Sequence, residues 1–272
     1  MSNAHSELLR LNVCILAVLG FIVGSLVAGI TAPVSFSFFV GIVVVFLICG
    51  GGNTINDYYD YETDKLSKSH RPLPSGRISM ESTKNYAIIL LFIGILLAVL
   101  FFSQAAIVFT IFNGLLVWVY SWKLKKTPFG HLVDSWLAAA PFILGGLIIS
   151  NVSQTVLILS TMAFLGNFGR EIIKGIEDMR SDKLVEMKTM EIVLGQGTSK
   201  IISMILISLA ILLSFVPYLS GDMGIGYLLL IFVGDCIFGY ALTKMNSPKQ
   251  SQNIMKIGMF VVMLAFLIGV LL

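Results

Sequence analysis

Apolar runs dominate the chain, interrupted by short polar stretches. About twenty consecutive apolar residues cross the hydrocarbon core of a bilayer as a helix. By that measure the sequence predicts nine spans, at 9–31, 34–56, 83–103, 105–122, 131–150, 154–174, 199–220, 223–243 and 253–272. The third and fourth are separated only by FSQA (102–105). The first run, near Leu8 to Ile30, is too long for the apolar part of a signal peptide and lacks a clear cleavage site. The expected fold class is therefore an all-α integral membrane protein with nine transmembrane helices, residues 1–272 forming a single transmembrane domain.

Composition agrees with that pattern. The chain is 57% hydrophobic and 12% charged, with a mean hydropathy of +0.92, whereas soluble domains are nearer half apolar and a quarter charged. Charge placement tests the division into spans independently. All 18 Lys and Arg residues fall on the N-terminal side of the bundle: Arg10, the loop between spans 2 and 3, and the loops 4–5, 6–7 and 8–9 with their flanks. The opposite connections, TAPVS, FSQA, SNVSQ and SGDMG, carry none. The positive-inside rule then puts the N-terminus in the cytoplasm and the C-terminus outside the cell membrane. The net charge of +3 thus describes one membrane face and not a nucleic-acid surface, and no feature requires a protein partner. Cys14, Cys49 and Cys236 lie inside apolar spans without a CxxC pair, as buried small hydrophobes would. His5, His70 and His131 are isolated, and no glycine-rich nucleotide loop or nucleophile elbow stands out.

The exception to the apolar pattern is GGNTINDYYDYETDKLSKSHRPLPSG (51–76), which follows directly on VGIVVVFLICG (40–50). Asn53, Asp57, Asp60 and Asp64 are spaced i, i+4, i+7, i+11 and share one helical face, with Asn56 beside Asp60. Pro72 and Pro74 end any continuous helix. A second such face ends span 6, in NFGREIIKGIEDMRSDKL: Asn167, Glu171, Lys174, Asp178 and Asp182. Its tail DMRSDKL (178–184) repeats DYETDKL (60–66) at four positions of seven, a hint of internal duplication.

Like charges four residues apart repel, and more strongly when partly desolvated. A divalent cation removes that conflict. Carboxylate and amide oxygens without thiolates point to a hard ion such as Mg2+, which is commonly held by one or two carboxylates together with substrate phosphates. A solvated acidic helix end is the plain alternative, and two matching faces weigh against it. Arg71, Arg77, Lys123, Lys125, Arg170 and Lys174 are expected to face the same cytoplasmic vestibule as the acids and suit a diphosphate. Apolar helices would hold an attached hydrocarbon, which predicts an enzyme acting on an allylic diphosphate with a lipid tail.

NDYYDYETD (56–64), followed by RPLPSGRIS (71–79), together with DMRSD (178–182), resembles the paired motifs of the UbiA superfamily of intramembrane prenyltransferases. The resemblance covers nearly the whole chain. It implies a UbiA-type bundle of nine helices around a central cavity. It also implies two Mg2+ ions placed by Asn56, Asp60, Asp64, Asp178 and Asp182, with Asp57 as a further motif position whose role is to ligate or to position the others. Arg10 matches a basic position at the start of helix 1, and YSWKLK (120–125) resembles the loop after helix 4, where Tyr120 and Lys123 or Lys125 would meet diphosphate. Asn53, Arg71, Arg77, Arg170 and Lys174 complete the substrate-binding set.

Three positions depart from the family pattern: Gly175 stands where many members carry Asp, Gly130-His131 where Gly-Asn is frequent, and Thr189-Met190-Glu191 where a Thr-Leu-Pro turn is frequent. GREIIKGIED (169–178) is similar to archaeal geranylgeranylglyceryl phosphate geranylgeranyltransferases. That similarity implies geranylgeranyl diphosphate as donor and a lipid phosphate with a free glycerol hydroxyl as acceptor. Arg170 and Lys174 would meet the second phosphate, and Glu171 would receive the hydroxyl proton. The alternatives are prenylation of an aromatic ring (a quinone, chlorophyll or haem precursor) and, outside enzymes, a cation-coupled transporter. A transporter would place its acids at mid-membrane, where only Asp235 lies, expected as a buried hydrogen-bonded carboxyl.

Overall fold

The computed structural model describes residues 4–30 and 35–271, and among these no β-strand occurs. The long helices are α1 (Leu11–Val27), α2 (Phe36–Tyr59), α3 (Met80–Phe101), α4 (Gln104–Trp122), α5 (Gly130–Ile148), α6 (Gln154–Leu184), α7 (Gln196–Ser214), α8 (Ile225–Thr243) and α9 (Pro248–Leu271). Among the described residues eight spans are long and apolar enough to cross a membrane, α7 counted together with the short helix Val216–Leu219, while α1 has 17 residues. The chain is a multi-span membrane protein. Most of the loop TAPVS (31–35) lies outside the described residues.

Helix limits differ from the apolar runs where side-chain chemistry intervenes. The first expected span divides at Arg10, whose left-handed backbone (φ 51, ψ 63) separates a short helix, Ala4–Leu9, from α1. A side chain in that conformation is disfavoured, and here it turns the Arg10 guanidinium onto the Asp57 carboxylate. Leu8 packs with Leu73 and Ile78, so the short helix also covers the loop after α2. Helix α6 runs for 31 residues, about 46 Å at 1.5 Å per residue, against roughly 30 Å of hydrocarbon. Its C-terminal turns therefore project beyond the apolar layer.

Each long helix packs on the next along the chain, and α9 returns against α1 to close a ring. Large apolar side chains such as Phe92, Leu212 and Leu229 point outward, where lipid rather than water solvates them. Between helices in lipid, close van der Waals packing replaces the hydrophobic drive, which favours small residues at crossings. The α1–α5 crossing shows this: a Cβ at Gly24 would lie 2.2 Å from Phe142 O, and one at Gly145 would lie 2.5 Å from Phe21 O.

Contacts between connections define two ends. At one, the Lys188 N–H donates to Lys126 O (3.0 Å), joining the α6–α7 and α4–α5 loops. At the other, Asn151 donates to Ala28 O (2.7 Å) and Thr155 to Asp222 (2.7 Å). Within the bundle, Asp235 accepts from Ser214 Oγ (2.7 Å), as expected of a buried carboxyl. The three cysteines are free, but only Cys14 is fully buried; Cys236 faces outward on α8, correcting its expected burial. Gly145→Ala is expected to destabilise the protein by about 1–3 kcal/mol, because backbone rather than a mobile side chain opposes the new methyl; thermal unfolding in detergent measures it.

Candidate active site

The end of α2 and the short helix Tyr61–Ser67 carry the first acidic face. The chain bends at Asp60, yet Asp60 N donates to Asn56 O (2.9 Å) and Asp64 N to Asp60 O (2.8 Å). The helical ladder therefore passes through the bend, and Asn53, Asn56, Asp60 and Asp64 all reach one cavity of about 1150 Å³. From the projecting end of α6, Asp178 and Asp182 line the same cavity. Its inner walls are apolar, among them Val44, Ile48, Phe109, Leu159, Met162 and Phe266. Val13 and Leu16 of α1 and Phe260 of α9 are further apolar residues of its lining.

The two acidic faces are neutralised differently. On the α2 side, Arg71 bridges Asp57 (3.2 Å) and Asp64 (2.5 Å). Lys125 pairs with Asp60 and donates to Asn56 Oδ1 (3.1 Å), and Lys68 stands 3.7 Å from Asp64. Among the described residues, Asp178 and Asp182 form no ion pair. Burial lowers the affinity of the Lys68 amine for its proton, and neighbouring Arg71 and Lys125 lower it further, against the pull of Asp64 and Asp178. Lys68, Arg71 and Lys125 thus stand close enough together to meet one anion entering the vestibule.

Among the described residues no three Asp, Glu, His or Cys side chains converge on one point as a preformed metal cage. The donor chemistry nevertheless fits a hard divalent ion: Asp178 and Asp182 are unpaired, and amide and carboxylate oxygens face them across the cavity. Mg2+ held jointly by one or two carboxylates and substrate phosphates needs no closed protein cage.

Several expected site residues sort by position. Asp57 is 4% exposed and does not line the cavity; its carboxylate holds Arg10 and Arg71, which do. Arg77 lies outside the cavity, in a two-pronged pair with Glu7 (2.7 Å at each prong). Lys125 and Tyr120 line the cavity and Lys123 does not. Glu171, expected to receive a proton, has its oxygens engaged by Arg170 and by Lys174 (2.8 Å), which leaves it a poor proton acceptor. Asn167 is brought against Asp134 (3.2 Å) and accepts from Arg170 (3.0 Å).

Residues 17–264 match the UbiA prenyltransferase family. Digeranylgeranylglyceryl phosphate synthase of Pyrococcus horikoshii is 36% identical over 273 residues, covering 99% of this chain and 98% of that protein. The enzyme of that name from Methanopyrus kandleri is 34% identical, covering 99% and 100% respectively. The chain belongs to the UbiA prenyltransferase family. A solved structure of a digeranylgeranylglyceryl phosphate synthase superposes with a TM-score of 0.79 at 35% identity, covering 98% of this chain and 97% of that one. A UbiA homologue from Archaeoglobus fulgidus, solved with DMAPP and Mg2+, shares the fold at a TM-score of 0.68 and 19% identity, covering 96% of this chain and 99% of that one.

Lys68, Asp134 and Lys256 are cavity-lining groups of this UbiA chain that escaped sequence reasoning. Asp134 sits near the start of α5, and its signal was a carboxylate inside an apolar run. Lys256 of α9 also lines the cavity, close enough to Arg170, Lys174, Glu171 and Glu177 to sense their charges; in sequence it looked like one more topological lysine. Removing the cation that pairs with Asp60 should matter more than removing its exposed neighbour. Lys125→Ala is expected to lower prenyl-transfer kcat/KM about ten- to a hundredfold, the worth of a charge-assisted hydrogen bond. Lys123→Ala should stay within about twofold, as measured by diphosphate release in detergent or nanodiscs.

Proposed function

We propose that the protein transfers a geranylgeranyl group from geranylgeranyl diphosphate to the glycerol hydroxyl of geranylgeranylglyceryl phosphate and releases diphosphate, a step of archaeal ether-lipid synthesis. The observation that carries this reading is one cavity with an acidic, cation-ringed end and an apolar interior. Near-full-length relatives named digeranylgeranylglyceryl phosphate synthase support the choice of acceptor. The whole chain acts as one transmembrane domain in the cell membrane, and its lysine and arginine placement supports a cytoplasmic N-terminus and active site with the C-terminus outside.

In this reading Asn56, Asp60, Asp64, Asp178 and Asp182 would hold two Mg2+ ions together with the diphosphate. When bound, Mg2+ offsets the charge that grows on the departing diphosphate. Arg71 and Lys125 exchange carboxylate oxygens for phosphate oxygens. Asp57, which sits behind them, positions Arg10 and Arg71 and ligates nothing. The apolar interior aligns the hydrocarbon and keeps water from the allylic carbon as its bond to the diphosphate lengthens. Arg170, Lys174 and Lys256 receive the acceptor's phosphate, and Glu171 holds the first two in place.

Asp60→Ala and Asp182→Ala are each expected to abolish Mg2+-dependent transfer while the thermal unfolding profile stays that of a folded protein; wild-type turnover in both variants would refute the metal assignment. Purified protein given geranylgeranyl diphosphate should release diphosphate with geranylgeranylglyceryl phosphate and not with aromatic acids. Release with aromatic acceptors alone would overturn the lipid assignment.

A further inference from the structure

The buried polar atoms that lack a hydrogen-bond partner are not scattered. Among the described residues they are His131 Nε2, Thr189 Oγ1, both oxygens of Glu191, and Arg170 Nε. Four of these five belong to one corner, where the α6–α7 connection meets the start of α5. Glu191 is 0% exposed, and its Oε1 lies 2.8 Å from His131 Nε2, at ion-pair distance without the alignment of a hydrogen bond. The space it occupies exists because residue 175 is glycine: a Cβ there would lie 2.6 Å from the Glu191 carboxylate. His131, Thr189 and Gly175 line the cavity, whereas Glu191 stands behind them. The three departures from the family pattern, at 131, 175 and 191, are therefore one contiguous arrangement.

An imidazole backed by a buried carboxylate is a defined chemical device. The carboxylate fixes the proton on the facing nitrogen, stabilises the imidazolium, and leaves the other nitrogen with a lone pair. Here Nε2 faces Glu191, which leaves Nδ1 for the cavity. Other carboxylates of the cavity have other work: both Glu171 oxygens are ion-paired, Asp134 accepts from Asn167, and the unpaired Asp178 and Asp182 are assigned above to the metal ions. Among the described residues His131 is the only histidine lining the cavity.

Resting on the hydroxyl-acceptor reading above, we propose that His131, held through Nε2 by Glu191, is the proton acceptor for the acceptor substrate. As the allylic C1–O bond to diphosphate breaks, the acceptor oxygen bonds to C1 and its proton passes to His131 Nδ1; diphosphate leaves as the anion. Glu191 and Gly175 are positioning residues, one holding the ring and the other making room for the carboxylate. The charged groups around the ring are Glu191, Glu171, Asp134 and, from the far end of α6, Asp182.

The test compares wild type with His131→Gln, Glu191→Gln and Gly175→Ala, using geranylgeranyl diphosphate, Mg2+ and geranylgeranylglyceryl phosphate, with ether product quantified across pH. His131→Gln is expected to lower kcat about a hundredfold or more, with the affinity for geranylgeranyl diphosphate within about twofold and the acid limb of the kcat–pH profile lost. Glu191→Gln and Gly175→Ala should each lower kcat about tenfold and move that limb to lower pH, since the imidazolium loses its carboxylate. A His131→Gln kcat within about threefold of wild type, or a loss confined to the donor KM, overturns the proposal. If His131→Gln no longer binds the donor, wild-type kcat in both Glu191→Gln and Gly175→Ala overturns it instead. Failure of the wild type to form ether overturns the acceptor reading, which is a separate result.

Discussion

Carboxylates at the end of apolar helices have to be matched by positive charge, and the cytoplasm-facing architecture expected for this protein follows from how that matching is done. Desolvating an isolated carboxylate costs several kcal/mol, and an unpaired partner left behind costs as much again. Asp57, Asp60 and Asp64 are nearly buried, and each is met by a guanidinium or ammonium from elsewhere in the chain. Those cations dictate local structure. Arg10 breaks the first helix to reach Asp57, and the loop after α2 folds back so that Arg71 spans two acids. The short N-terminal helix covers that loop through Leu8, Leu73 and Ile78.

The second acidic face is left open, and that asymmetry is chemically useful. Asp178 and Asp182 lie beyond the apolar layer on the projecting end of α6, where partial hydration lowers the cost of leaving them without an ion-pair partner. A metal–diphosphate complex entering the vestibule meets unpaired oxygens on one side and exchangeable cations on the other. The protein thus has a resting charge balance that substrate can replace group for group. Below this layer the bundle relies on close helix contact, as at Gly24 and Gly145, and on a few internal hydrogen bonds such as that between Ser214 and Asp235.

The fold was largely legible because membrane burial writes itself into the sequence in a strong, low-resolution code: length of apolar run and side of basic residue. The acidic faces were legible for the same reason, since carboxylates stand out against such a background. What the code lacks is rotation and reach. Helical spacing put Asp57 on the same face as Asp60, yet a few tens of degrees send one to Arg10 and the other into the cavity. Spacing also could not separate Lys125 from Lys123, two residues apart around a turn that directs only one inward. Arg77 was misjudged because its partner, Glu7, is seventy positions away. The cluster of His131, Gly175 and Glu191 was visible only as three unrelated departures, because contacts between separate connections leave no periodic trace.

The length of α6 has a mechanical consequence. Asp182 sits fifteen residues beyond Asn167, about 22 Å along an unbroken rod, so a tilt of about 5° at the membrane level displaces its carboxylate by about 2 Å. Transmembrane helices answer a mismatch between their apolar length and the bilayer by tilting. The separation of the two acidic faces therefore depends on the angle at which this one long helix stands in the bundle.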